Sequence, residues 1–445
     1  MKLVIIGGDA AGMSCASKLR RLNEDIEIKV FEKTEVVSYS ACGIPYYVGG
    51  EFENWEDMLV RSPEEFRKSN IQVFLNHEVV KINVNENEIL VKDIDNRRVF
   101  HEKYDILLIA VGANPIRPQV PNVNLKHIYN VKTLEDGRNI KNKLDIMKSD
   151  EVIIIGGGYI GMEMAEAIYN QKKNVTIIQK GEHLLDSFDD EICELIEKHL
   201  IEKNINIMLE EEVVGFKGNN EVEKVITNKN EYSGELVVLG IGFSPATDFL
   251  KDSGINMAEN GAVIIDRYMK TNINNIYAAG DCAQVYHKVL KKNSYVPLGT
   301  NANKQGKTLS DILNGDKHEI QGILGSTVVK IIDLQVGKTG LTEKEAKDNN
   351  IGYGVSFIKS KTGPEYYPKS EDIYVKIIYN QNNRTIIGGQ IAGKSEAGIR
   401  TDVIAAAIYN NMTVEEIGML DLCYAPPFSN VWDPINIAGK AHSNK

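Results

Sequence analysis

The 445-residue sequence has few cysteines, and it has none where a second one would be needed. Cys15, Cys42, Cys193, Cys282 and Cys423 are scattered, and no two make a C-x-x-C or a metal-ligand spacing. A disulfide framework and a cysteine-held metal are excluded, and a reducing cytoplasm is the expected compartment. Long apolar runs are missing too. None approaches the roughly 18–20 residues of a membrane-spanning helix, and Met1 leads straight into an apolar strand with no leader architecture. Positive charge is short: 51 Lys and Arg against 62 Asp and Glu leave a formal charge of −11. Wholesale nucleic-acid binding is therefore excluded, and an acidic small ligand would need a local basic patch. No membrane or nucleic-acid partner is expected.

What is present begins with Lys2–Gly8, an apolar run that opens into Gly7-Gly8-Asp9-Ala10-Ala11-Gly12. A strand buried on both faces of a parallel sheet reads this way. A helix over 13–22 and a second strand over 26–31, ending at Glu32, complete the order strand, turn, helix, strand of a dinucleotide-binding unit. Gly7 permits the tight turn and Gly12 lets helix and strand pack closely. The helix start offers backbone N–H groups to a pyrophosphate, and Glu32 can bind ribose hydroxyls. Asp9 departs from the pattern at the middle glycine.

A second copy follows. Glu151–Ile155 leads into Gly156-Gly157-Gly158-Tyr159-Ile160-Gly161, with a helix to Asn170 and a returning strand over 175–178. Two units imply two dinucleotides. Here the ribose position is Gln179, followed by Lys180. With no acid to repel a 2′-phosphate, NADPH stays open beside NADH, and Lys180 is either a phosphate contact or a solvated surface lysine.

Further segments fall in step. Tyr104–Pro115, with Ala110 and Gly112, and Glu235–Pro245, with Gly242, are strands closing on Gly/Pro turns, as at crossing points between two nucleotide domains. Asn275–Ala283 ends a strand in Gly280-Asp281, where Asp281 can hold a ribityl chain or cap a helix. The last third changes character: a strand over 327–334, a capping box at Thr342–Glu345, a hairpin over 372–392, and helices over 401–410 and from Thr413. It has no nucleotide fingerprint of its own.

Cys42 lies in Ser38-Tyr-Ser-Ala-Cys42-Gly-Ile-Pro45-Tyr-Tyr47, a small Gly- and Pro-marked turn after the first unit. Pro45 and Tyr47 stand where a C-x-x-C or C-x-x-x-x-C would need its second sulfur. If Cys42 is redox-active, its partner atom is a sulfur from outside the chain or a sulfenic oxygen. Otherwise it is a small buried hydrophobe.

Together these features resemble the flavin-dependent pyridine nucleotide–disulfide reductases. They resemble most closely the single-cysteine branch of coenzyme A disulfide reductases, NADH oxidases and NADH peroxidases. The resemblance implies an α/β fold of two Rossmann-like domains plus a C-terminal α+β dimerisation domain. The expected segments are 1–115 and 246–325 for FAD, 116–245 for NADH or NADPH, and 326–445 for dimerisation. It carries FAD contacts onto Gly7, Gly8, Ala10, Ala11, Gly12, Glu32, Lys33, Val79, Ala110, Gly112, Gly280 and Asp281. It carries dinucleotide contacts onto Gly156, Gly158, Tyr159 (a gate near the flavin), Ile160, Gly161, Glu163, Gln179, Lys180 and Gly242. Tyr366-Tyr367-Pro368 and Tyr424–Ser429 match the coenzyme A disulfide reductases. Tyr366, Tyr367 and Tyr424 are then the candidates for the proton donor, reaching Cys42 of the other subunit in a homodimer. The paired-cysteine reductases use a terminal His-Glu base. This chain has Trp432 and Asp433 there and no histidine before His442.

On this resemblance Cys42 rests as a mixed disulfide with coenzyme A, and a small-molecule disulfide is the substrate. Ser14, Lys18, Arg21 and Ser38, with Arg20, are candidate contacts to its phosphates. The peroxidase and many oxidases of the branch carry a histidine in the first turn where this chain has Ala10. That lowers the alternative, an NADH oxidase or peroxidase cycling Cys42 through sulfenic acid. A flavoprotein redox sensor of low turnover is the alternative from another class.

Overall fold

A computed structural model describes residues 1–441, so His442 lies outside the described residues. The chain forms two compact units. The first joins Met1–Gly43, Asn54–Ile116 and Phe243–Ile323. The second joins Ile44–Glu53, Arg117–Gly242 and the chain from Leu324 onward.

The first unit is built on a five-stranded parallel sheet. Its order is Ile71–Phe74, Glu27–Phe31, Lys2–Ile6, Ile106–Ile109, Ile276–Ala278. In the central strand Leu3, Val4 and Ile5 are fully buried, as a strand covered on both faces requires. An antiparallel sheet of three strands, His77–Asn83, Glu88–Asp93 and Arg98–Lys103, is inserted between the third and fourth parallel strands in chain order. Ala113–Pro115 pairs with Phe243–Pro245, where the chain leaves this unit and returns to it.

The second unit repeats the plan. Its parallel sheet runs Asn206–Met208, Asn174–Ile178, Glu151–Ile155, Leu236–Leu239, Ile128–Asn130. It too carries a three-stranded antiparallel insert, Val213–Lys217, Lys224–Thr227 and Glu231–Ser233. The same unit holds a five-stranded antiparallel sheet, in the order Thr327–Ile331, Leu334–Gly340, Ile386–Gly393, Asp372–Asn380, Tyr353–Lys361. The single strand expected over 327–334 is instead two. The backbone turns at Ile332, which has φ of +62°, and Thr327–Ile331 pairs back on the next strand. The apolar residues on both sides of the turn hide it in the sequence.

The two Gly-rich turns are near copies. Gly7 and Gly156 have φ of +105° and +100°, a region that only glycine enters cheaply. A Cβ on Gly12 would overlap the carbonyl oxygen of Gly7, and one on Gly161 that of Gly156. Each third glycine thus lets its helix sit directly on the turn. The middle position differs. Around Gly158 a Cβ would meet no atom within 4 Å, and its φ of −78° suits any residue. Its counterpart Asp9 is accommodated for that reason. Gly161→Ala should therefore lower the unfolding free energy by about 1–3 kcal/mol. Gly158→Ala should change it by less than about 0.5 kcal/mol. Urea midpoints of the two purified variants check the contrast.

Candidate active site

Four helices, Pro63–Lys68, Leu134–Ile146, Glu343–Asp348 and Val414–Ile417, begin with complete capping boxes. The helices after the two Gly-rich turns, Ala10–Leu22 and Tyr159–Asn170, have no side-chain cap. Their first N–H groups are left for an anion, which is the arrangement that binds a pyrophosphate. At the end of the neighbouring strand the Glu32 carboxylate accepts from Gly8 N–H at 2.7 Å. In the second turn the Gln179 amide oxygen accepts from Gly157 N–H at 3.0 Å. Both residues predicted to meet a ribose thus stand beside their turns.

The cysteine loop is hydrogen-bonded to the first turn. Ser38 N–H donates to the Gly8 carbonyl at 2.9 Å, and Val60 N–H donates to the Ser38 carbonyl at 2.8 Å. Ser38 takes a φ of +53°, which turns the chain toward the short 3-10 turn Ala41–Gly43. Cys42 is exposed there, so the buried-hydrophobe reading fails. Cys15, Cys193 and Cys282 are buried, and burial pushes each thiol up to about 12. Those three are packing residues, not nucleophiles.

Beyond Gly43 the helix Ile44–Gly49 packs within the second unit. A Cβ on Gly137 would press on Ile44 and Tyr47, and one on Gly49 on Ala167. Lys141 donates to the Tyr47 carbonyl at 3.0 Å, and Gln171 to the Gly49 carbonyl at 2.8 Å. A crevice beside this helix is lined by Pro45, Tyr46, Glu51, Glu163, Glu166 and Lys330, among others.

The Gly280-Asp281 turn is fixed by the buried Gln305, whose amide oxygen accepts from Gly280 N–H at 2.7 Å. Gln305 lies on the helix Gly299–Leu313, and a Cβ on its Gly306 would overlap the Ala11 carbonyl. Asp281 lies in a turn, and no helix starts there, so it does not serve as a helix cap.

The remaining predicted residues are distributed as follows. Ser14 donates to Asn303 at 2.6 Å, and Lys18 pairs with Asp311 at 2.6 Å. Arg20 donates to the carbonyls of Asn23, Glu24, Ile26 and Asn70, which closes the end of its helix. Arg21 and Lys33 are exposed. Val79 is buried in the first unit's core. Lys180 pairs with the exposed Glu212 at 2.7 Å. The Tyr159 hydroxyl accepts from Ser187 at 3.3 Å, and burial pushes it up to about 12. Asn430 donates to the Lys361 carbonyl at 3.0 Å, and a Cβ on Gly363 would lie 3.1 Å from the Pro426 carbonyl. The Tyr366 and Tyr424 segments are therefore neighbours. Tyr366 is 74% exposed and Tyr424 48%. Asp433 is buried against Arg400 and Ser429 as a structural anchor.

The family model "Pyridine nucleotide-disulphide oxidoreductase" matches residues 1–306, and its dimerisation domain matches residues 326–434. The chain belongs to the pyridine nucleotide-disulphide oxidoreductases. The NAD(P)H coenzyme A polysulfide/persulfide reductase of Pyrococcus horikoshii is 39% identical over 99% of this chain and 98% of that protein. An NADH oxidase of Methanocaldococcus jannaschii is 32% identical over 99% and 98%. The crystal structure of reduced Bacillus anthracis CoADR-RHD superposes with a TM-score of 0.96 at 33% identity, over 100% of this chain and 80% of that one. As an oxidoreductase of this family the chain is an FAD-dependent enzyme that uses NAD(P)H. The uncapped helices and the glycine cradles suit both dinucleotides. Among the described residues no helix is long and apolar enough to cross a membrane.

Gln305 and Gln171 escaped the sequence reading. Each acts by hydrogen-bonding to a residue distant in sequence, which leaves no local pattern.

Glu163, on the helix after the second turn, has its carboxyl pushed up to about 7 by burial and by the neighbouring Glu166 carboxylate. It keeps its proton in the folded protein after the unfolded chain has lost it near 4.5. Its contribution to stability is therefore full below pH 4.5 and is lost as pH rises through 7. Glu163→Gln should match wild type in thermal stability near pH 4.5 and exceed it at pH 8, by up to about 3 kcal/mol. Melting curves at the two pH values check this, and equal melting temperatures at pH 8 would contradict it.

Proposed function

We propose that the chain reduces coenzyme A disulfide, or a related low-molecular-weight disulfide or persulfide, through Cys42 alone. One observation carries the reading. Cys42 is exposed in a loop bonded to the first Gly-rich turn, and no second cysteine stands in that loop. A two-electron thiol step must then take its other sulfur from the substrate. The name of the Pyrococcus horikoshii relative supports coenzyme A as the source of that sulfur.

FAD, which the first Gly-rich turn, Glu32 and the Gly280-Asp281 turn would hold, would supply two-electron transfer from NAD(P)H to sulfur. At rest the Cys42 sulfur is joined to the sulfur of coenzyme A. Two electrons cleave this bond, leaving the Cys42 thiolate and, with one proton, coenzyme A thiol. The thiolate attacks the next disulfide, reforms the mixed disulfide and expels a second coenzyme A thiolate. Each cycle consumes one disulfide, one NAD(P)H and one proton, and yields two thiols and NAD(P)+. The partner subunit's Tyr366, Tyr367 and Tyr424 are the candidates to protonate the departing sulfur. The exposure of Tyr366 and Tyr424, with that of Phe428 and Val431, supports a homodimer formed through this domain. Arg21 and Ser38 are the phosphate contacts favoured for the substrate, because Lys18 and Ser14 are engaged within the chain. The cysteine usage supports the cytoplasm as the compartment.

The second reading is an NADH oxidase, which the name of the Methanocaldococcus jannaschii relative favours. Ala10 counts against it, because the first turn has no side chain there to handle the protons of a sulfenic acid. Anaerobic turnover with coenzyme A disulfide should yield two thiols per NAD(P)H. Cys42→Ser should lose that activity by about a thousand-fold or more while keeping its FAD. Wild-type thiol release by the variant, or oxygen uptake that outpaces thiol release in air, would overturn the reading.

A further inference from the structure

The loop between the strand Asn174–Ile178 and the helix Asp190–Glu202 lies against the second Gly-rich turn. Leu185 N–H donates to the Gly157 carbonyl at 2.8 Å. Ser187 holds the Tyr159 hydroxyl, and the Phe188 and Tyr159 rings are 6.2 Å apart. Leu185 has φ of +49°, a conformation that needs external support in a γ-branched residue.

That support comes from the antiparallel sheet of the same unit. The Lys338 ammonium donates to the Ser187 carbonyl at 2.7 Å. Gln390 grips Asp189 at both ends: its amide oxygen accepts from Asp189 N–H at 2.9 Å, and its amide N–H donates to the Asp189 carboxylate at 2.6 Å. The fully buried Lys376 ammonium lies 3.1 Å from the same carboxylate, 2.6 Å from Glu191 and 2.5 Å from Glu343. Asp189 begins the helix Asp190–Glu202 but does not cap it; its second oxygen accepts from Glu343 N–H instead. A buried ionic cluster contributes little net stability against an apolar replacement. What this one supplies is a fixed position for the end of the loop.

We propose that Lys338, Lys376 and Gln390 are positioning residues for the nicotinamide dinucleotide, holding the Leu184–Phe188 loop, and through it Gly157 and Tyr159, in binding geometry. The proposal rests on the reading of the second Gly-rich turn as the NAD(P)H site. It ties that site to the sheet of the dimerisation domain, which carries no Gly-rich fingerprint of its own.

The test uses the FAD-loaded protein with Lys376→Met, Gln390→Met and Lys338→Met. Lys338→Met leaves the buried cluster intact and remains readable if the other two fail to fold. The dissociation constant for NAD(P)H is measured by anaerobic calorimetry with NADH and with NADPH, alongside KM for each substrate. Lys376→Met and Gln390→Met should weaken NAD(P)H binding and raise its KM by about ten-fold. Lys338→Met should act in the same direction and less, and the disulfide KM and FAD content should stay at wild-type values. Wild-type NAD(P)H affinity in the folded variants overturns the proposal, as does an equal loss toward both substrates. Failure of the wild-type protein to bind either nucleotide would instead remove the reading on which it rests.

Discussion

The hydrogen bond from Ser38 N–H to the Gly8 carbonyl joins the two parts of the first unit that matter most. On one side is a glycine cradle whose helix start is left uncapped. On the other is the turn that exposes Cys42. The bond requires Ser38 to take a left-handed conformation and the next residues to pair with Met58–Val60. A thiol on a loose loop would sample many distances from the cradle; this one is held by backbone on both sides. The three buried cysteines are removed from the chemistry by the same logic, since burial disfavours their thiolates.

Much of the fold was legible because it depends on local sequence. The first and third glycines of both turns follow from steric overlap that any side chain would cause, and alternating or continuous apolar runs identify the sheets. The capping boxes at Thr342 and Thr413 were readable for the same reason. Long-range partnerships were not. Lys18 and Arg20 looked like phosphate ligands on a basic helix end, yet one pairs with Asp311 and the other closes the helix on backbone carbonyls. Their partners lie far away in sequence or on groups that every residue has. The turn at Ile332 was hidden because its flanks are as apolar as a strand.

Asp433 illustrates how a suggestive residue becomes structural. It stands in the terminal stretch where the paired-cysteine enzymes keep a base, but Arg400, Ser429 and the Ile435 N–H occupy its carboxylate. In the proposed mechanism proton delivery is assigned instead to the tyrosine segments around Tyr366 and Tyr424. Asp189 and Lys376 extend the theme: they are buried ionisable groups whose partners fix the end of the Leu184–Phe188 loop, the support that the positioning proposal invokes.

The central claim is that the atom joined to Cys42 at rest is the sulfur of coenzyme A. Mass analysis of the Cys42 peptide from oxidised protein, before and after one equivalent of NAD(P)H under anaerobic conditions, tests it most directly. The account predicts a coenzyme A adduct that leaves as one equivalent of thiol on reduction. An oxygen adduct on Cys42, with no coenzyme A released, would contradict it.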